Sequence, residues 1–213
     1  MGDSSLSSKI MKGAFVAYYA NSQQPRTIVF QLNPETIQRR ILPSHLKSSF
    51  SKRGEARERI SFVLAVDANL GDDFFVQDED GESHGVLPFL SAIELLAYPA
   101  DVFNEITNTS GNSGFPGIAK YFTRLFRSSS KRSLPYVSLL FGSQRIIPAK
   151  IKSIHITEQA FDATLQPIRA SVKIVMDALT ERESKRHGPT KEMYKHYLRL
   201  KVLLANSKAR PDS

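Results

Sequence analysis

The chain contains no cysteine and no tryptophan among its 213 residues. Without cysteine it forms no disulfide, offers no thiolate to a metal and has no cysteine nucleophile. It also has no apolar run near the roughly 20 residues that a membrane-spanning helix requires. Residues 1–12 are rich in serine and lack the apolar core and cleavage site of a signal peptide, so we expect a flexible N-terminal arm there.

The sequence also lacks the patterns that catalysis and cofactor binding need. The acidic run at residues 78–81 resembles part of a calcium-binding loop, but Val76 stands where such a loop has its first carboxylate, and Leu87 stands where it has its bidentate glutamate. The five histidines are scattered, and no glycine-rich loop has the lysine that a phosphate site requires. We therefore expect no enzymatic activity, no metal, no cofactor and no small-molecule ligand.

The charge of the chain is strongly positive, with a formal net charge of +8 and a pI near 9.7. The basic residues cluster in residues 39–59, in residues 124–132 and from residue 182 onward, whereas residues 67–82 are acidic. Nucleic acid, an anionic membrane surface and an acidic protein are all plausible partners for such a chain. Opposite charges at separate places also suit head-to-tail stacking of identical copies.

Period-two alternation of apolar residues predicts a β-rich domain. It is clearest in residues 168–176 and recurs in residues 60–66, so each of these segments is expected to be a strand with one buried face. Residues 14–19 and 27–32 flank a turn signal and are predicted to form a hairpin. These patterns favour a mainly β fold of the α+β kind.

A second hairpin is predicted from residues 136–141 and 146–157, which a short glycine-containing turn joins. Along its second strand the apolar phase shifts near Lys152 and Ser153, which indicates a β-bulge. His155 alternates with isoleucines and is expected on the outer face of that strand.

Helical spacing of apolar residues occurs in three places. Residues 87–98 are predicted to form a helix that covers the sheet, with Pro88 in its first turn. A helix that follows Gly188 carries Tyr197, Leu200 and Leu204 on one stripe, and we expect this stripe to form an interface. The third is a basic amphipathic helix within an insertion at residues 99–135, and its apolar side offers the candidate interface residues Ile118, Tyr121, Phe122 and Leu125.

The expected organisation is a flexible arm at residues 1–12, a β domain at residues 13–180 and a C-terminal helical extension at residues 181–213. Six basic residues flank a predicted strand-loop-strand region and are candidates for a subunit interface or a lumen. They are Arg39, Arg40, Lys52, Arg53, Arg57 and Arg59.

Two motifs carry a resemblance to a known family. The first follows Phe30 and comprises Asn33, Pro34, Glu35 and Thr36, and the second comprises Phe161, Asp162, Pro167 and Arg169. With the segments around them, they resemble the tube and baseplate proteins of extracellular contractile injection systems. These are phage-tail-like particles that include antifeeding prophages and Photorhabdus virulence cassettes. Each motif contains a proline beside a strand end, so the motif residues are expected to set turns.

The resemblance implies a tail-tube-type antiparallel β-barrel or sandwich with one covering helix. It implies a structural subunit that assembles into a ring, expected to be hexameric, and joins the central spike to the inner tube. The implied partners are further copies of the chain and the tube, spike, baseplate and sheath subunits of the same particle. The implied place of synthesis is the bacterial cytoplasm. The chain shows no evident lysin-motif domain, which many members carry.

An alternative function also follows from the residues. The basic helix predicted at residues 118–127 is suited to bind nucleic acid or a membrane surface. In that case the chain would be a binding module instead of a ring subunit.

Overall fold

A computed structural model describes residues 11–19, 25–43, 56–70, 84–99, 134–142, 144–186 and 188–208. Within them, the strands form one antiparallel sheet of order β2-β1-β5-β6-β7-β4-β3. The bounds of the strands are β1 (Ala14–Tyr18), β2 (Arg26–Val29), β3 (Ile37–Leu42), β4 (Arg57–Asp67), β5 (Tyr136–Leu140), β6 (Ile146–Phe161) and β7 (Pro167–Ala178). The expected mainly β fold is thereby confirmed.

Both predicted hairpins are present. Phe15 on β1 lies opposite Ile28 on β2, and Leu139 on β5 lies opposite Ile147 on β6. The register between β6 and β7 shifts between Ile151 and Ser153, where the change of apolar phase indicated a bulge. The short-range patterns of the sequence therefore located these pairings correctly.

Between β1 and β4, the strands differ in length and number from those that the sequence predicted. The alternation through residue 32 predicted one strand, but β2 ends at Val29, and one further backbone hydrogen bond in the same register joins the Phe30 N–H to the carbonyl of Gly13 at 2.8 Å. Strand β3 was not foreseen as a separate element. Five of its six residues are exposed, so it has no regular alternation of buried and exposed residues.

The core lies on one face of the sheet, and the sheet curls around it. Phe15 on β1 and Phe62 on β4 are separated by three intervening strands, yet their ring centroids are 6.1 Å apart. Phe30 completes the cluster at 4.9 Å from Phe15 and 6.1 Å from Phe62. A flat sheet would hold β1 and β4 about 20 Å apart, at 4.7–4.9 Å per strand. The rings therefore meet across the inside of a barrel-like curve.

Helix α1 (Leu87–Glu94) and a following 3-10 turn (Leu95–Ala97) together cover the predicted helical segment. Leu90, Ile93 and Leu96 are buried in the core, and the hydroxyl of Tyr19 donates to the carbonyl of Leu95 at 3.2 Å. This helix therefore closes the core.

Two more helices follow the sheet, α2 (Glu181–Ser184) and α3 (Gly188–Lys208). Thr180 and Glu183 form a capping box that begins α2. No helix in the described ranges is both long and apolar enough to cross a membrane. Residues 1–10, the basic segment at 118–127 and most of the insertion at 99–135 lie outside the described residues.

Candidate functional site: edges, hairpin and groove

The first motif holds the beginning of β1. The Asn33 side-chain oxygen accepts from the backbone N–H of Gly13 at 2.7 Å, and its amide nitrogen donates to the carbonyl of Met11 at 2.9 Å. Pro34 is buried, whereas Glu35 and Thr36 are exposed. Asn33 thus fixes the entry of the chain into the sheet.

Gln31, which sequence reasoning missed, joins two parts of the curled sheet. Its side-chain amide donates to the carbonyl of Asp67 at 2.8 Å and accepts from the N–H of Asp67 at 2.8 Å. Only 2% of Gln31 is exposed, so this paired contact satisfies a buried polar side chain. The side-chain amide of Gln31 thus makes the two backbone hydrogen bonds at Asp67 that a neighbouring strand would otherwise make.

The second motif forms the tip of the long β6–β7 hairpin. One carboxylate oxygen of Asp162 accepts from the backbone N–H groups of Thr164 and Gln166 at 2.8 and 2.9 Å, and from the Thr164 hydroxyl at 2.7 Å. The Thr164 hydroxyl and the two backbone N–H groups lower the pKa of Asp162. Ala160 and Leu165 adopt left-handed φ angles of 52° and 65°. The carboxylate therefore organises a turn that ordinary residues do not favour.

The hairpin base connects the second motif to β4 and α1. Pro167 is buried, and its carbonyl accepts from Val86 at 2.9 Å. A Cβ on Gly85 would lie 2.3 Å from the same carbonyl oxygen, so the close approach requires glycine. Arg169 donates to the Asp67 carboxylate at 2.8 Å across the β7–β4 pair. Phe161 and Leu165 remain exposed at the tip.

At the other end of β4, Glu58 gathers three side chains. Its carboxylate accepts from Arg39 at 2.6 Å, from the Tyr197 hydroxyl at 2.7 Å and from Lys201 at 2.6 Å. Only 6% of Glu58 is exposed, so this cluster compensates a buried charge. Burial is the largest single influence on the pKa of Glu58 and raises it, but the three hydrogen bonds together hold this pKa below its ordinary value.

The Glu58 cluster consists of Glu58, Arg39, Tyr197 and Lys201. The predicted apolar stripe on α3 is buried where it meets this cluster and exposed further along the helix. Tyr197 is 6% exposed and belongs to the core, and burial raises the pKa of its hydroxyl. Leu200 is partly buried, but Leu204 is 58% exposed. The first half of α3 is also held to β5, because the Ser138 hydroxyl donates to the sulfur of Met193 at 3.1 Å. Only the second half of the stripe is therefore a free apolar surface in the described part of the chain.

A groove of about 570 Å³ opens beside the Glu58 cluster. It lies where β4 begins and β7 ends, and it extends to α2. Four of the six basic residues singled out in the sequence meet at this end of the sheet. Arg40, Arg57 and Arg59 line the groove, and Arg39 binds Glu58. Lys52 and Arg53 lie outside the described residues.

The two outermost strands of the sheet are β2 and β3. Within the described residues, neither has a strand partner on its outer side, and the exposed apolar residues include Val29 on β2 and Ile41 and Leu42 on β3. An uncovered edge offers backbone N–H and C=O groups that another strand can pair with. Ile118, Tyr121, Phe122 and Leu125 lie outside the described residues.

No group of three or more potential metal ligands occurs in the described ranges. No protein-family model matches the chain, and no curated protein matches it. One solved structure it matches is described as the tail of an empty GTA particle with C6 symmetry. That match has 12% sequence identity and a TM-score of 0.31, and it covers 78% of this chain and 90% of the other. A TM-score of this size does not establish a shared fold, so function has to be inferred from the chain's own surfaces.

Proposed function

We propose that the chain is a non-enzymatic structural subunit of a phage-tail-like contractile injection particle. Identical copies would form a ring, expected to be hexameric, that joins the central spike to the inner tube. The two sequence motifs support this proposal through their resemblance to tube and baseplate proteins. The observation that carries it is that, in the described part of the chain, the two edges of the antiparallel sheet, β2 and β3, are uncovered.

The two edges suggest how a ring would form. When β3 of one copy pairs with β2 of the next, each copy uses two different surfaces, and the contact is repeated around the assembly. Such a head-to-tail contact produces a closed ring if the rotation between neighbours closes, and an open filament if it does not. Exposed edges are also a hazard in an isolated chain, because they promote uncontrolled pairing. An assembly that covers both edges removes this hazard.

In this proposal the other partners are the tube, spike, baseplate and sheath subunits of the particle. The protein would be made in the bacterial cytoplasm and then become part of the particle. Neither a cofactor nor a small-molecule ligand is needed, because the subunit acts by templating the geometry of the next layer.

Cysteine cross-linking tests the edge pairing directly, since the chain has no cysteine of its own. A chain with both Val29→Cys and Ile41→Cys carries one thiol on each edge. A short thiol-specific cross-linker should then give a ladder of covalent oligomers that ends at the size of the ring. Denaturing gel electrophoresis and mass spectrometry measure the ladder.

The matched control combines Val29→Cys with Val63→Cys, because Val63 is also exposed but lies on β4, inside the sheet. This control should give no ladder. Equal cross-linking of both chains, or only monomers from the edge pair, would contradict the ring. Salt-dependent retention of DNA or binding to vesicles by a chain that never oligomerises would favour the alternative, a binding module based on residues 118–127.

A further inference from the structure

The groove beside β4, β7 and α2 has a pronounced excess of positive charge. Seven basic side chains and three carboxylates line it. The carboxylates are Glu58, Asp177 and Glu183, and the basic residues are Arg40, Arg57, Arg59, Lys150, Lys152, Arg182 and Arg186. Such a surface favours an anionic partner.

Ion pairs inside the groove account for only part of this charge. Arg59 donates to Asp177 at 2.8 Å, Lys152 lies 3.6 Å from the same carboxylate, and Lys150 donates to Glu183 at 2.8 Å. Glu58 is already bound to the cluster that holds α3. In the described part of the chain, no ion pair involves the other four basic residues, which are Arg40, Arg57, Arg182 and Arg186.

The sequence contains a segment of complementary charge. Residues 71–83 include six acidic residues and no basic residue. The described chain enters this segment from Leu70 and leaves it at His84. Both sides of the segment are attached near the start of β7, because Ala68 donates to the carbonyl of Ile168 at 2.7 Å and Val86 donates to that of Pro167 at 2.9 Å.

A chain cannot place this segment in its own groove. Strand β7 has 12 residues and rises about 3.2–3.4 Å per residue. The groove at its far end is therefore about 35 Å from Pro167. The acidic residues from 78 to 80 are five to seven residues from Gly85, so an extended chain carries them at most about 25 Å from it. If segment 71–83 occupies the groove, it therefore belongs to another copy of the chain.

We propose that the basic groove binds the acidic segment 71–83 of a second copy, so that copies join end to end along the strand direction. The inference goes beyond the proposed function, which describes one ring of this chain, because it adds a contact through which a second ring of the same chain would stack on the first. Edge pairing would link neighbours within a ring, and the groove would link one ring to the next. The two contacts use different residues, so separate experiments test them.

The test measures binding of a fluorescent peptide of residues 70–84 to the full chain by anisotropy. In the groove variant, Arg57→Glu, Arg182→Glu and Arg186→Glu reverse three of the four arginines for which the described residues show no ion pair. In the reversed peptide, lysine replaces all six acidic residues, which are Asp72, Asp73, Asp78, Glu79, Asp80 and Glu82. The natural pair should bind, and either reversal alone should weaken binding roughly tenfold or more, because like charges then face each other. Both reversals together should restore binding.

The control chain carries Lys173→Glu, Arg199→Glu and Lys208→Glu, which change the net charge equally at exposed positions away from the groove. This chain should bind the natural peptide within about twofold of the original chain, apart from long-range effects that salt screens. A peptide with asparagine and glutamine at its acidic positions should not bind.

Several results would overturn the proposal. They are absence of binding by the natural pair, equal weakening by the control chain, and failure of the doubly reversed pair to bind. Groove-dependent binding of an oligonucleotide more tightly than the peptide would also overturn it. A cross-linked ring with no peptide binding would refute this contact and leave the ring intact. Charge-dependent peptide binding without a cross-linked ladder would support this contact and contradict the ring.

Discussion

The two ends of the β6–β7–β4 region are held together in different ways. At the hairpin end, Asp162 binds residues two and four positions further along the chain. At the groove end, Glu58 binds Arg39, Tyr197 and Lys201, which are 19, 139 and 143 residues away in sequence. The tip of the hairpin end is therefore a local structure, whereas the groove end exists only when strands β3 and β4 and helix α3 have come together.

This difference has a consequence for assembly. The chain on both sides of the acidic residues 71–83 is attached at the hairpin end, and the groove end is basic, so in the proposed contact the molecule uses two unlike ends. Unlike ends favour head-to-tail contacts between copies, whereas a symmetric dimer would bring two identical patches together. Variants at the groove end should change global stability, and variants at the hairpin tip should have local effects.

Tyr197→Ala should have the largest effect. It removes a buried aromatic side chain from the core and deprives Glu58 of one of its three hydrogen-bond donors. Truncation of a buried aromatic residue typically costs 3–5 kcal/mol, and we expect a loss of about 3 kcal/mol in the free energy of unfolding. Chemical denaturation measures it.

Tyr98→Ala serves as the control for Tyr197→Ala, because Tyr98 is half exposed and should change stability by no more than about 0.5 kcal/mol. If the two variants were equally stable, α3 would not be part of the cooperative fold.

The acid sensitivity of the groove end should be smaller but measurable. Burial raises the pKa of Glu183, but the hydrogen bonds from Lys150 and Thr180 outweigh it and bring this pKa from 4.5 to about 2. A carboxyl whose pKa is lower in the folded state stabilises the fold above its unfolded pKa and loses this contribution as pH falls. The loss should occur between pH 4.5 and about 2. Because Glu183 is about one third exposed, it should amount to less than about 1 kcal/mol.

Glu183→Gln tests this pH dependence. The variant should be less stable than the original chain at pH 6, and the difference should shrink toward pH 2, as followed by denaturation midpoints. Glu35→Gln, at an exposed residue of the first motif, is the matched control. An equal difference at both pH values would show that the Glu183 carboxylate charge has no part in holding α2.

The sequence predicted those parts of the fold that depend on neighbouring residues. Alternation along residues 168–176 found β7, and the change of phase near Lys152 and Ser153 found the bulge, because period and phase are local properties. Strand β3 was missed since its exposed, charged residues show no alternation.

The Glu58 cluster and the Gln31–Asp67 contact were not predictable in the same way. The Arg39–Glu58 pair joins residues that are 19 positions apart in sequence, and the other contacts join residues at least 36 positions apart. The acidic residue Glu58 between Arg57 and Arg59 was the only local signal for the cluster. The groove likewise combines residues from β3, β4, β6, β7 and α2, and only its basic arginines attracted attention in the sequence.

Asp162→Ala should have the smallest effect, confined to the hairpin end. It removes the acceptor that holds Thr164 and Gln166, so the left-handed conformation of Leu165 loses its support. Amide hydrogen exchange should become faster at the hairpin tip, while exchange in the core strands and the denaturation midpoint stay nearly unchanged. Asp162→Asn keeps a carbonyl acceptor in the same place and should retain most of the protection. If Asp162→Ala instead lowered global stability as much as Tyr197→Ala, the hairpin end would be as dependent on the whole fold as the groove end, and the distinction between a local and a cooperative end would be wrong.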